Sequence, residues 1–378
     1  RFDSILQPGR LTIVGPIEHC TGGPVSNTGL ALSRLGICTG LMGKVGDDPF
    51  GQIIRRYVRE RNAEGADALV VDPAAHSSYT LVFSIPNVDR MILHYPGAND
   101  TFSCDDVRYD LVAGARLFHF GYPPLMRRMY EDGGHELASV FSRAKETGVT
   151  TSLDMAFPDP TSPAWGVDWA QILRRTLPYV DLFLPSIEET LFMLCPMVYE
   201  ALQAQARGQD ILPLIRPEML TDLGRECIGL GAKIVAFKLG YRGLYLRTAD
   251  RESMETLGRG RPADPAAWSN REFWAPCFQV EVVGTTGSGD ATIAGLLAGL
   301  LRGLSPEDSV TAAVAVGACN VEAADALGGL RSWDETWQRV RSGWARRELV
   351  LDAPGWVLTG RHQLWAGPCE TSGVKREL

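Results

Sequence analysis

What this chain lacks narrows its chemistry first. No apolar run reaches the roughly 18 residues that a membrane-spanning helix needs, so no span is expected. The first residues show no basic stretch leading into an apolar one, so no secretory leader is read there. The eight cysteines are scattered, never as C-x-x-C, and no histidine stands near them at zinc spacing. That pattern argues against a zinc module and fits reduced thiols in a cytoplasmic protein. H-E-x-x-H and G-x-S-x-G are both missing, which removes the zinc-protease and serine-hydrolase readings. No G-x-G-x-x-G follows an early strand, as a dinucleotide-binding dehydrogenase requires. A phosphate-binding P-loop fails too: Lys44 follows Gly43, but Cys38 stands where the first glycine belongs and Val45 replaces Ser or Thr. An excess of positive charge is also wanting. Lys and Arg number 37 against 45 Asp and Glu, a net charge of −8, so neither nucleic acid nor a membrane is expected as partner.

What is present is a chain built for a large core. Of its 378 residues, 45% are hydrophobic. Short apolar runs bounded by turns lie at Leu117–Phe120, Thr150–Asp154, Leu182–Pro185 and Ile234–Leu239. Helical patterns fall among them at His135–Thr147, Trp169–Leu177, Ile187–Met193 and Leu220–Leu230. Short buried strands alternating with helices imply an α/β fold with a mostly parallel sheet covered on both faces. Near the start, Leu11–Val14 and Thr39–Met42 read as strands around a helix at Val25–Leu35. Ser78–Ile85 and Met91–Tyr95 flank Pro86-Asn87-Val88-Asp89, a hairpin signal. Gly243–Thr248 and Phe278–Val283 add strands, and Val310–Ala324 a helix. Pro196–Pro217 and Ala249–Asn270 read as surface insertions. Past residue 332, Trp333, Trp337, Trp344, Trp356 and Trp365 argue for a segment docked on the body.

The richest stretch is Val283-Gly284-Thr285-Thr286-Gly287-Ser288-Gly289-Asp290, running into the apolar helix Ala291–Leu301. Its glycines expose backbone N–H groups, and the following helix points its positive end at whatever lies over the turn. Anion donors beside a carboxylate suit phosphoryl transfer to a hydroxyl group. An ordinary helix cap has the same composition, so the segment gains meaning only with others. Gly22-Gly23-Pro24-Val25-Ser26-Asn27 enters a helix, and Asn27 brings an amide that both donates and accepts. Gly43–Gly51 reads as a capped turn. In Pro185-Ser186-Ile187-Glu188-Glu189 the acidic pair either offsets a helix dipole or organises Mg²⁺ through water. Lys238-Leu239-Gly240-Tyr241-Arg242-Gly243 is a strand ending in a turn, or one wall of a nucleotide site.

Taken in order, these segments resemble the ribokinase-like (pfkB) carbohydrate kinase family over roughly residues 8–335. Pro96–Asn99, which reads Pro-Gly-Ala-Asn, supplies one more of its motifs. The resemblance implies a three-layer α-β-α kinase domain over residues 1–335, with lid strands near 8–22 and 78–97. Residues 336–378 then form a Trp-rich extension. It implies that Asp290 is the catalytic base and that Gly287, Ser288 and Gly289 form an anion hole. Gly22, Gly23, Asn27 and Asn99 match substrate-binding positions. Ser186, Lys238, Gly240, Gly243 and Thr285 match nucleotide-binding ones, and Glu189 matches the acidic residue that holds Mg²⁺ through water. ATP and Mg²⁺ are the implied cofactors, a small sugar the implied substrate, and the lid a homodimer surface. A weakly active binding member of the fold and a nucleoside kinase are the alternatives.

Three positions depart from the family pattern. Gly284 stands where the family usually has Asp, which puts activation by a monovalent cation in doubt. Ser288 replaces Ala and Ser186 replaces Asn. The first core strand, whose Asp commonly binds sugar, is not found either. Leu11–Val14 leads too directly to Gly22-Gly23 and reads as a lid strand, so the first core strand is expected to lie outside this sequence.

Overall fold

The computed structural model describes residues 9–369 except 10, 18, 64, 84–90 and 361. Residues 11–17 and 19–22 are neither helix nor strand. Leu11, Ile13 and Val14 are 90, 91 and 81% exposed. The strand expected at Leu11–Val14 is not formed among the described residues. Residues 1–8, with the start of the expected 8–22 lid segment, lie outside the described residues, as does the hairpin turn at 86–89.

The first half runs α1 (Gly23–Arg34), β1 (Gly43–Gly46), α2 (Pro49–Arg61), β2 (Leu69–Asp72), β3 (Tyr79–Phe83) and β4 (Met91–Tyr95). Then follow α3 (Tyr109–Gly114), β5 (Leu117–Gly121), α4 (His135–Glu146), β6 (Thr150–Asp154), α5 (Trp169–Thr176) and β7 (Leu182–Phe183). The second half runs α6 (Ile187–Leu194), α7 (Pro196–Ala206), α8 (Pro217–Gly229), β8 (Ile234–Lys238), β9 (Leu244–Thr248), α9 (Arg251–Glu255) and β10 (Glu272–Ala275). It closes with α10 (Ser288–Leu301), α11 (Pro306–Asn320), α12 (Trp333–Arg341), β11 (Val357–Leu358) and β12 (Trp365–Ala366). Among the described residues no helix is long and apolar enough to cross a membrane.

Eight strands form one sheet in the order β11-β12-β10-β9-β8-β7-β6-β5. β5 through β8 are parallel, and the pairings from β8 to β11 are antiparallel. Alternation along β8 divides the core between the two faces. Val235 and Phe237 join Leu137, Ile172 and Leu220 from α4, α5 and α8. Ile234 and Ala236 join Leu297 and Val314 from α10 and α11 on the other side. Each such side chain contributes about 1.5–3 kcal/mol when fully buried. α10 and α11 approach at backbone distance, since a Cβ on Gly295 would lie 2.8 Å from the Ala312 carbonyl oxygen. β1 and β2 pair in parallel as a separate ribbon, and β3 and β4 form an antiparallel hairpin of their own.

Several expected elements move. The strand placed at Thr39–Met42 begins at Gly43 instead, while Leu41 is buried against α1 and α2. Phe278–Val283 is not a strand. The ladder runs through Glu272–Ala275 and stops at Pro276, which has no N–H to give. The two expected surface insertions are anchored by buried side chains: Leu202, Ile211 and Leu212 in the first, Met254, Leu257 and Trp268 in the second. Of the described residues beyond 335, Trp365 and Ala366 form β12, which pairs with β10 inside the main sheet.

Candidate active site

The carboxyl ends of the parallel strands converge on the start of α10. Gly287 caps that helix in the left-handed region, φ 73°, where a Cβ would strike Ala326 at 2.6 Å. The Ser288 N–H donates to the Thr285 carbonyl at 3.3 Å, closing the turn. The N–H groups of Gly289 and Asp290 stand in the first turn, where no carbonyl of the helix reaches them. Thr285 itself is exposed.

Asp290 is 3% exposed and held from two other elements. Asn27 Nδ2 donates to its Oδ2 at 3.0 Å, and Thr28 Oγ1 to its Oδ1 at 3.0 Å. The Tyr122 hydroxyl, just past β5, donates to Oδ2 at 2.8 Å. α1 can bring Asn27 this close because Gly121 has no side chain. A Cβ there would lie 2.8 Å from Pro24. Gly22 and Gly23 stand one turn before Asn27, at the N-terminus of the same helix.

Lys238 ends β8 and salt-bridges Asp154, which ends β6. Its side chain lies along the turn: a Cβ on Gly289 would sit 3.4 Å from Lys238 Cδ and 3.9 Å from Nζ. Burial drives the lysine down, but Asp154, Glu189 and Asp290 outweigh that and raise it. Burial pushes the Asp154 carboxyl up to about 8, with Lys238 pulling against it and Glu189 and Asp290 adding to the rise. Glu189 is raised by burial in the same way, with Lys238 opposing. Three carboxyl groups thus face one ammonium group. Two buried polar atoms there have no partner, Asn27 Oδ1 and Asp154 Oδ2.

Ser186 and Glu189 form a reciprocal cap on α6: the Ser186 N–H donates to Oε2 at 2.6 Å and the Glu189 N–H to Ser186 Oγ at 3.1 Å. A parallel bridge sets Ser186 beside Lys238. Gly240 and Gly243 shape the turn after β8, where a Cβ on Gly243 would run into the Ala275 carbonyl. A cleft of about 330 Å³ opens beside that turn, between Tyr241, Arg242, Pro276 and Arg347.

Asn27, Lys238, Glu189, Gly289 and Asp290 thus come together. Asn99 does not join them. It sits in the turn Gly97–Thr101, where its carbonyl accepts from the Phe102 N–H and no hydrogen bond reaches Asp290. Thr28, Tyr122 and Asp154 were missed in sequence. Their available signal was position: Tyr122 and Asp154 stand at the carboxyl ends of predicted parallel strands, where such sheets bind ligands.

Among the described residues no group of three His, Cys, Asp or Glu side chains could hold a metal directly. Glu189 would hold an Mg²⁺ carried by phosphates through water, with the Asp154 carboxyl nearby. Gly284 offers no side-chain oxygen, and a Cβ there would lie 2.9 Å from the Ala323 oxygen and the Ala324 Cα.

A family described as pfkB family carbohydrate kinase matches residues 3–332. The 2-dehydro-3-deoxygluconokinase of Bacillus subtilis is 26% identical over 327 residues, 85% of this chain and 87% of that one. A ribokinase structure from Thermotoga maritima superposes with a TM-score of 0.61 at 17% identity, covering 89% of this chain and 92% of its own. A Xylella fastidiosa fructokinase with bound ATP gives 0.60 at 20% identity, covering 85 and 91%. With this family spanning most of its length and a ribokinase-like fold beneath it, the chain belongs to the pfkB family of carbohydrate kinases.

Proposed function

We propose that this kinase moves the γ-phosphoryl group of ATP to a hydroxymethyl group of a small sugar, with Asp290 as base. The observation that carries this reading is the hold on Asp290. A helix-capping carboxylate needs no side-chain partners, yet this one has three, from α1 and from the end of β5. The hold keeps the carboxylate oriented as a base must be. The N–H groups of the Gly287–Gly289 turn and the Lys238 ammonium then meet the charge on the transferring group. The unpartnered Asn27 Oδ1 and Asp154 Oδ2 are polar atoms suited to sugar hydroxyls. The turn at Gly240 and Gly243 faces the nucleotide, and ATP is the nucleotide named with the Xylella fructokinase. Mg²⁺ would supply charge neutralisation at the phosphates, with Glu189 reaching it through water.

A second copy of the chain covers the hairpin β3–β4, whose Val82 and Ile92 are 51 and 61% exposed. Little activation by potassium is expected, because Gly284 supplies no side-chain oxygen to an ion there. The deciding experiment measures ADP release with a panel of ketoses, aldoses, 2-keto-3-deoxy sugar acids and nucleosides, for wild type and Asp290→Asn. The variant is expected to lose about 10²–10⁴ in kcat. Sugar phosphorylation that Asp290→Asn leaves unchanged overturns the assignment.

A further inference from the structure

A carboxylate offers about four lone-pair directions, two on each oxygen. On Asp290, Oδ2 already accepts from Asn27 Nδ2 and from the Tyr122 hydroxyl, while Oδ1 accepts from Thr28 alone. One oxygen is full and the other has a single opening. Resting on Asp290 as the base, we infer that Tyr122 guards this carboxylate: its hydroxyl closes Oδ2 to water and leaves Oδ1 as the atom that takes the proton.

The backbone around Tyr122 is built for this placement. Tyr122 sits in the left-handed region, φ 64° and ψ 41°, a conformation that costs an aromatic residue energy and that clusters at functional sites. Its N–H donates to the Asp154 carbonyl at 3.3 Å, and its carbonyl accepts from the Leu125 N–H at 2.9 Å. Buried Pro123 and Pro124 follow, and Gly121 before it admits Pro24. The phenol cannot readily give up its own proton. Burial, then the nearby Asp290 and Asp154 charges, push its ionisation well above the ordinary tyrosine range, so it remains a donor.

The chemistry explains why a guard is useful. In transfer to sugar, the hydroxyl oxygen bonds to the γ-phosphorus as the bond to the β–γ bridging oxygen breaks. ADP leaves with that electron pair, and the hydroxyl proton passes to Asp290. Water in the same place gives the same balance, with inorganic phosphate as product and ATP wasted. With Oδ2 filled by Asn27 and Tyr122, a bound sugar hydroxyl has Oδ1 to meet and covers that one opening. Water then finds no second opening on the carboxylate, whereas without Tyr122 it would find one at Oδ2.

The test is ADP release in excess of sugar phosphate at saturating sugar, compared between wild type and Tyr122→Phe. The variant is expected to hydrolyse ATP about tenfold faster or more, within the range that base help supplies. Adding Asp290→Asn to it should bring the rate back to the wild-type level. Tyr122→Asn serves as the second variant, because Asn tolerates the left-handed backbone and is too short to reach Asp290. Both variants should release more ADP than sugar phosphate, whereas a merely structural defect would slow both equally. ADP release that stays equal to sugar phosphate in Tyr122→Phe overturns the inference, and so does an excess that survives Asp290→Asn. Failure of the sugar-kinase reading would look different, as no sugar phosphorylated by the wild type.

Discussion

His119, on β5, donates to or accepts from Ser152 Oγ at 2.9 Å through Nδ1, while Nε2 is buried without a partner. Burial first, and Lys238 second, push its ionisation down to about 3. An unfolded histidine takes its proton near 6.5. Below that pH the unfolded chain binds a proton that the folded one refuses. This contribution to stability is therefore complete above about pH 6.5 and is lost progressively as pH falls toward 3. Urea unfolding of wild type and His119→Gln from pH 4 to 7 should show it. The wild type is expected to lose up to about 1.4 kcal/mol per pH unit more than the variant. Parallel slopes would show that the ring is not held neutral. Asp290, Gly287 to Gly289, Asn27 and Glu189 were legible in the sequence because their meaning is carried by neighbours along the chain. Tyr122, Thr28 and Asp154 act across space from α1, β5 and β6, and nothing beside them in sequence spells out that meeting. Glu189 shows a third case, since the capping geometry and the charge facing Lys238 coexist in one side chain.

At the scale of elements, the parallel strands were the easiest to read. β6 is buried along its whole length, so its sequence needs no alternation and stands out as one short run. The reading failed where pairing, rather than composition, decides. Leu11–Val14 has strand-like residues and is not a strand, whereas Glu272–Ala275 contains a buried carboxylate and lies inside the main sheet. Glu272 accepts from Tyr245 and Thr221 hydroxyls at 2.8 and 2.7 Å and pairs with Arg247 at 3.0 Å. The hairpin β3–β4 gives the element-scale prediction. Its apolar side chains face outward on both sides, more than a two-stranded ribbon would keep in water by itself. Ile92→Lys should convert a dimer to a monomer in light scattering behind size exclusion, with thermal stability at low concentration little changed. A wild type that elutes as a monomer at every concentration would remove the lid from the interface.

Across the whole molecule, the opposite end of the sheet carries a purely structural counterpart to the site. Asp181, fully buried, accepts from Lys145 and Lys233 at 2.7 Å each and from the Thr151 N–H at 3.0 Å. Removing one member of such a set leaves buried charge unopposed. Asp181→Asn should cost about 3–5 kcal/mol in chemical denaturation while leaving KM for both substrates near wild type. The active site has no comparable local closure. Asp290 meets its partners over separations of 263, 262 and 168 residues. Contacts that distant form only after the intervening chain has found its place. In a refolding experiment, helix content should return first and phosphotransfer last, so that catalysis times the final step of the folding reaction.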